Sequence, residues 1–203
     1  MKNKKLKTLV GSLALVGAIA VGATLAYFTD SQEAVNTITM GHVDIDLEEP
    51  NFPDDKEIDD VTPNQEITKD PTIIVKADSE DMYLRAKIEL TGFDGIKDAD
   101  KHKEELLDQI NIQPGWNLAA DGYYYFQYVV GKTNVDQKIV FFDKVTIPAN
   151  WGNEVADLTF KINVTAEAIQ ADNFTPETND NGNIVGWNNV TPETYTPTTS
   201  DAE

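Results

Sequence analysis

The sequence predicts an all-β fold: an antiparallel β-sandwich, jelly-roll or immunoglobulin-like in kind, with one short surface helix. Short runs of alternating apolar and polar residues recur along most of the chain, and turn-forming clusters of Pro, Gly, Asn and Asp separate them. Only residues 98–110 show a helical period. With 203 residues, 40% of them hydrophobic and 25% charged, the chain has enough apolar material for one core with tails.

Residues 1–7, MKNKKLK, are basic, and Thr8 to Ala26 is an uncharged run rich in Gly and Ala, the pattern of an export signal. The run approaches the length of a membrane anchor, so an uncleaved span is the alternative. Small residues at Thr24 and Ala26 place cleavage between Ala26 and Tyr27, giving a signal peptide over 1–26. Residues 27–40 form a β-tolerant N-terminal segment in one phase. From His42 to Glu48 the alternation is strict, with Val43, Ile45 and Leu47 on one face. Gly41 sits where the phase changes, so residues 27–40 need not join the same sheet.

The sandwich domain is expected over residues 41–172. Within it, 49–71 carries four prolines and an acidic cluster and reads as a solvated loop. Thr72–Ala77 and Met82–Leu90 are two strands, paired or successive. DADKHKEELLDQI (98–110) is a helix with Leu106, Leu107 and Ile110 on one side. Residues 123–130, 138–142, 144–147 and 155–169 add further strands, the last burying Leu158, Phe160, Ile162, Val164 and Ala166. Residues 173–203 form a polar C-terminal tail, with NDNG at 179–182 as a hairpin turn.

Composition excludes several function classes. The formal charge is −19, and loss of Lys2, Lys4, Lys5 and Lys7 with the leader gives −19 − 4 = −23. A surface this acidic repels nucleic acid and anionic lipid. Without cysteine there are no disulfides, thiolate metal sites or Cys nucleophiles. His42 and His102 are the only histidines and lie in unrelated contexts, so no His-rich zinc site is expected, and His102 reads as part of a solvated helix face. No GxSxG, SxxK or phosphate-binding glycine loop occurs. The catalytic and metal sets are therefore expected to be empty and no cofactor is expected. Acidic clusters at Asp54, Asp55, Glu57, Asp59 and Asp60, and at Asp78, Glu80 and Asp81, lack EF-hand spacing, and any calcium there is expected to bind weakly. Tyr123, Tyr124, Tyr125, Phe126 and Tyr128 suit a core with cross-strand packing better than a stacking platform. A lysine beside an asparagine or aspartate in a dry core can form an isopeptide crosslink, and Lys87 and Asn163 exemplify the residue types.

The junction LAYFTDSQEAVNTITMGHVDIDL (25–47) resembles the TasA/camelysin group of exported proteins processed by SipW-type signal peptidases. The resemblance rests on Ala26-Tyr27-Phe28-Thr29-Asp30, Asn36-Thr37-Ile38 and Gly41-His42-Val43-Asp44-Ile45. FDKVTIPANWGN (142–153) and FKINVTAEAIQADNF (160–174) are similar to the BsaA-type branch of biofilm fibre proteins. The resemblance implies a jelly-roll subunit of extracellular matrix fibres. Its partners would be copies of itself, accessory matrix proteins and, during export, the signal peptidase. Some relatives are described as proteases, so a camelysin-type surface metalloprotease is the alternative, and a monomeric calcium- or carbohydrate-binding adhesin a weaker one. Polymerisation by donor strand is expected, with Phe28, Val35 and Ile38 of the 27–40 segment plugging the groove of the next subunit. The same segment folding back as an edge strand is the competing expectation.

Overall fold

The computed structural model describes residues 43–53, 58, 60–172, 174–188 and 190, together with the backbone of Glu193–Tyr195. These residues form an all-β antiparallel sandwich with one short α-helix. Three-stranded sheets run β1 (Ile45–Glu48), β3 (Thr72–Val75), β8 (Gln137–Val140) and β2 (Glu66–Thr68), β9 (Phe142–Thr146), β5 (Ile110–Ile112). They act as one layer, because β2–β3 and β8–β9 are two long strands kinked at residues 69–71 and at Phe141. The Phe141 amide donates to the Pro71 carbonyl across the kink at 2.9 Å. The opposing sheet has the order β13 (Glu193–Tyr195), β10 (Lys161–Gln170), β4 (Met82–Thr91), β7 (Tyr124–Phe126), β6 (Trp116–Leu118). Its spine is the β4–β10 ladder, ten residues in unbroken register from Lys161 opposite Thr91 to Gln170 opposite Met82.

Period-two alternation creates the core. Ile45, Leu47, Ile73 and Val75 from one layer meet Met82, Leu84, Ala86, Val164, Ala166 and Ala168 from the other, all buried. β1 matches the alternation read from the sequence. The two strands at 72–77 and 82–90 prove successive and lie in opposite layers.

Other elements depart from expectation, each for a reason outside its own segment. The loop foreseen over 49–71 contains β2, and Lys69, Asp70 and Pro71 are buried, because β9, more than seventy residues away, supplies the ladder. The strand foreseen over 155–169 begins only at Lys161; a 3-10 turn over Asn153–Val155 and a left-handed Asp157 precede it. In the 123–130 run only Tyr124–Phe126 is strand, and Tyr128 and Val129 are exposed. Past residue 172 a hairpin of β11 (Glu177–Thr178) and β12 (Ile184–Gly186) turns at 179–182, where the Gly182 amide donates to the Asn179 carbonyl. β13 then pairs with β10, so the sheet continues into the segment read as a tail.

Helix α1 (Ala99–Leu107) buries Leu106 as its spacing requires, and it also buries His102. The solvated-face expectation for His102 is thus corrected. Its ring packs edge-on to Trp151 at 5.7 Å, within a cluster that adds Phe93 and Phe160. Gly92 makes the close approach beneath this cluster. Its φ is +91°, and a Cβ there would stand 2.3 Å from the Thr159 carbonyl oxygen.

Candidate functional site

On the outer face of the five-stranded sheet, the same alternation that sends Leu84, Ala86 and Ala166 inward sends Tyr83, Arg85 and Glu167 outward. That face is not left to water. Tyr125, Ile184 and Trp187 form a second buried cluster on it, packed by Tyr83, Tyr123, Ile169 and Phe174. The β11–β12 hairpin carries Ile184 and leads into Trp187, and so covers the sheet.

Arg85 sits beneath this cover. Its Nε donates to Glu167 Oε2 at 2.5 Å and an Nη donates to the Tyr125 hydroxyl at 3.1 Å. Tyr125 in turn donates to Asp121 Oδ2 at 2.7 Å, and the Tyr123 hydroxyl donates to Glu167 Oε1 at 3.4 Å. The guanidinium lies 3.9 Å from the Tyr123 ring centre and 4.6 Å from that of Trp187, cation–π geometry on two rings. Burial opposes its charge, but hydrogen bonds to Tyr125 and Glu167 outweigh that and raise its pKa. Burial, with the bond to Asp121, pushes the Tyr125 phenol up to about 12. Arg85 stays charged and Tyr125 stays a donor. Beside the network runs a groove of about 810 Å³ lined by Leu118, Asp121, Glu177, Asn179, Trp187 and Val190, among others. Its charged groups and Tyr125 hold one another, whereas Trp187 Nε1 is buried without a hydrogen-bond partner. The network closes the sheet face.

The residues expected to carry cleavage and polymerisation, Ala26, Tyr27, Phe28, Val35 and Ile38, lie outside the described residues, as does His42. Of the acidic clusters, Asp54, Asp55, Glu57 and Asp59 are also outside. At the second cluster, Lys132 Nζ reaches Glu80 at 3.2 Å, Asp172 at 3.5 Å and Asp81 at 3.9 Å, and the Glu80 hydrogen bond raises its pKa. Gly131 lets this lysine approach, since its φ is +123° and a Cβ would meet the Glu80 carbonyl oxygen at 2.4 Å. Lys87 and Asn163 are exposed on the outer face, which removes the dry setting that a crosslink between them needs. Of the aromatic run, Tyr124 and Phe126 pack into the main cluster and Tyr123 and Tyr125 into the second, as expected, whereas Tyr128 is exposed.

Sequence alone did not find Arg85, Glu167 or Trp187. Both charges were visible at outward positions of their strands, but their pairing depends on the β4–β10 register.

A family model described as camelysin metallo-endopeptidase matches residues 2–138, more than half of the 203. Arg85 lies inside the matched region, whereas Glu167 and Trp187 lie beyond it. Comparison with curated proteins and with solved structures gave no match. The description implies a metal held by several donor side chains. Among the described residues, no three His, Asp or Glu side chains converge on one point. His102 is sealed against Trp151, with Nδ1 3.3 Å from Glu105 Oε2 but not aligned to hydrogen-bond it. Glu105 is itself taken by Asn150 Nδ2 at 2.8 Å and Trp151 Nε1 at 3.1 Å, which hold its carboxyl below the ordinary range. These donors do not fit a catalytic zinc. Among the described residues no helix is long and apolar enough to cross a membrane.

Proposed function

The chain belongs to the camelysin family, the TasA/camelysin group of surface and exported proteins, and from that premise we propose that it is a structural subunit of extracellular matrix fibres with no peptidase centre of its own. The observation that carries this reading is an open sheet edge. β8 ends its three-stranded sheet in the order β1-β3-β8, with no strand paired to its outer side among the described residues, β5 pairing only with the continuing β9. Val140 on it and Val135 just before it are exposed, at 37% and 63%. Trp116 Nε1 donates to the Val140 carbonyl at 3.0 Å, a single side-chain bond where a ladder would make several. Such an edge is a template for strand addition.

In this proposal residues 27–40 of one subunit, released by cleavage after Ala26, pair with an open edge of the next. Phe28, Val35 and Ile38 supply the apolar contacts. The contact is head-to-tail and does not close, so it grows into a fibre. The partners are copies of the chain, accessory matrix proteins and a SipW-type signal peptidase. No cofactor takes part, and any calcium is weakly held. The test is electron microscopy of the cleaved protein and of the same protein lacking residues 27–38. Fibres from the first and folded monomers from the second are expected; equal fibres from both would overturn the donor-strand mechanism.

The family's description as a metallo-endopeptidase favours a second reading, a surface peptidase. Casein hydrolysis abolished by a chelator and restored by zinc would establish it; purified protein without such activity keeps the structural reading.

A further inference from the structure

A lysine and a glutamate buried together at the end of β1 have no part in either reading. Glu49 directly follows β1 and Lys69 directly follows β2, and the Glu48–Thr72 pair of the β1–β3 ladder brings the two chain segments together. Lys69 Nζ donates to Glu49 Oε1, and the two side chains are only 9% and 6% exposed. The Phe52 ring lies 4.6 Å from the same nitrogen. The turn that carries Glu49 is pinned in place. Asp70 accepts from the Asn51 amide at 3.0 Å and from Asn51 Nδ2 at 2.6 Å, and its carbonyl accepts from Thr72 Oγ1 at 2.8 Å. A neighbouring pair on the same sheet, Lys76 with Asp46, is open to water at 32% and 52% exposure.

We propose that Lys69 and Glu49 condense to an intramolecular isopeptide bond. In water both groups are ionised and condensation is unfavourable. The first step is one proton transfer from Nζ to the Glu49 carboxylate along the existing hydrogen bond. The Lys69 amine then carries a free electron pair beside the protonated Glu49 carboxyl. Fixed neighbours of this kind react as if at an effective concentration of roughly 10⁵ M or more. Nζ attacks Cδ, forming the N–C bond. A second proton passes from nitrogen to the departing oxygen, the Cδ–O bond breaks, and one water leaves. Both of its protons come from the ammonium, so no oxidant or co-reactant is needed. The bond ties β1 to the β2–β3 strand and removes residues 50–68 from the path of any force entering at the N-terminal side of β1. It forms within one subunit and does not depend on fibre formation.

The test is mass spectrometry of the full chain, unfolded and then digested with trypsin. The expected result is no cleavage after Lys69 and a branched fragment joining Lys69 to Glu49, lighter by one water than its two parts. Cleavage at the solvent-exposed Lys76 serves as the internal control. Lys69→Met and Glu49→Ala should each restore the unmodified mass. Linear peptides ending at Lys69 and accounting for the whole population would overturn the proposal, as would a link from Lys69 to any residue other than Glu49. Either result leaves the fibre reading standing.

Discussion

Arg85 shows what one side chain does when its strand has two covered faces. It is the cation of a buried network, so removing it takes the guanidinium from Glu167, which keeps the Tyr123 hydroxyl. Arg85→Met is expected to cost about 3–5 kcal/mol in urea unfolding, and adding Glu167→Leu to recover much of the loss. A double variant as unstable as the single one would mean that the rings, and not the ion pair, need the guanidinium. Tyr125 gives the pH dependence. Its folded pKa of about 12 stands above the ordinary 10.0, so its contribution is complete below pH 10 and is lost as pH rises from 10 to 12. A difference of 12 − 10 = 2 units corresponds to about 3 kcal/mol. Stability measured by urea unfolding should fall through that window, and Tyr125→Phe should flatten the fall while lowering stability at neutral pH. Burial raises Tyr123 and Tyr124 as well, so the variant keeps a residual slope. An unchanged slope in the variant would assign the effect to those two.

At the scale of elements, legibility followed the range of the interaction. β1 and the inward face of β10 were readable because alternation is local: Ile45, Leu47, Val164 and Ala166 declare their face by position alone. The burial of Leu106 on α1 was readable for the same reason. β2 was not, because Glu-Ile-Thr is too short to show a period and its partner β9 lies far along the chain. Nor was the burial of His102, which Trp151 imposes, or the Arg85 network, which needs the β4–β10 register and a covering hairpin rich in Asn. Glycine positions share this limit. Gly92 ends β4 where Thr159 passes, and Gly92→Ala combines a φ of +91° with a backbone clash. It is expected to destabilise by more than about 1 kcal/mol, well above an exposed Gly→Ala change at Gly95, which has open space around it. Equal costs at the two sites, measured by thermal unfolding, would mean that the conformation and not the contact with Thr159 sets the penalty. At the β8 edge, Val140→Lys puts a charge on the proposed docking strand. It should block fibres while leaving the melting temperature nearly unchanged, since Val140 is already exposed.

For the whole molecule, charge opposes assembly. Each chain carries −19, or −23 once the four leader lysines are gone, so two copies approaching end to end repel before any strand can pair. The attraction between an incoming strand and a sheet edge is short-ranged, resting on main-chain hydrogen bonds and apolar side chains. Repulsion acts over a Debye length, about 30 Å at 0.01 M salt and about 8 Å at 0.15 M. Salt should therefore change the rate of encounter more than the stability of the finished contact. Fibre growth followed by light scattering is expected to be slow at low ionic strength and faster by an order of magnitude or more near 0.15 M, while preformed fibres diluted into low salt persist. If growth is instead fastest at low salt, the contact joins opposite charges, and the acidic surface is part of the interface and not an obstacle to it. If calcium accelerates growth far beyond sodium at equal ionic strength, a carboxylate-bound cation bridges the subunits. Lys132, already ringed by Glu80, Asp81 and Asp172, would then be the first residue to replace in locating it.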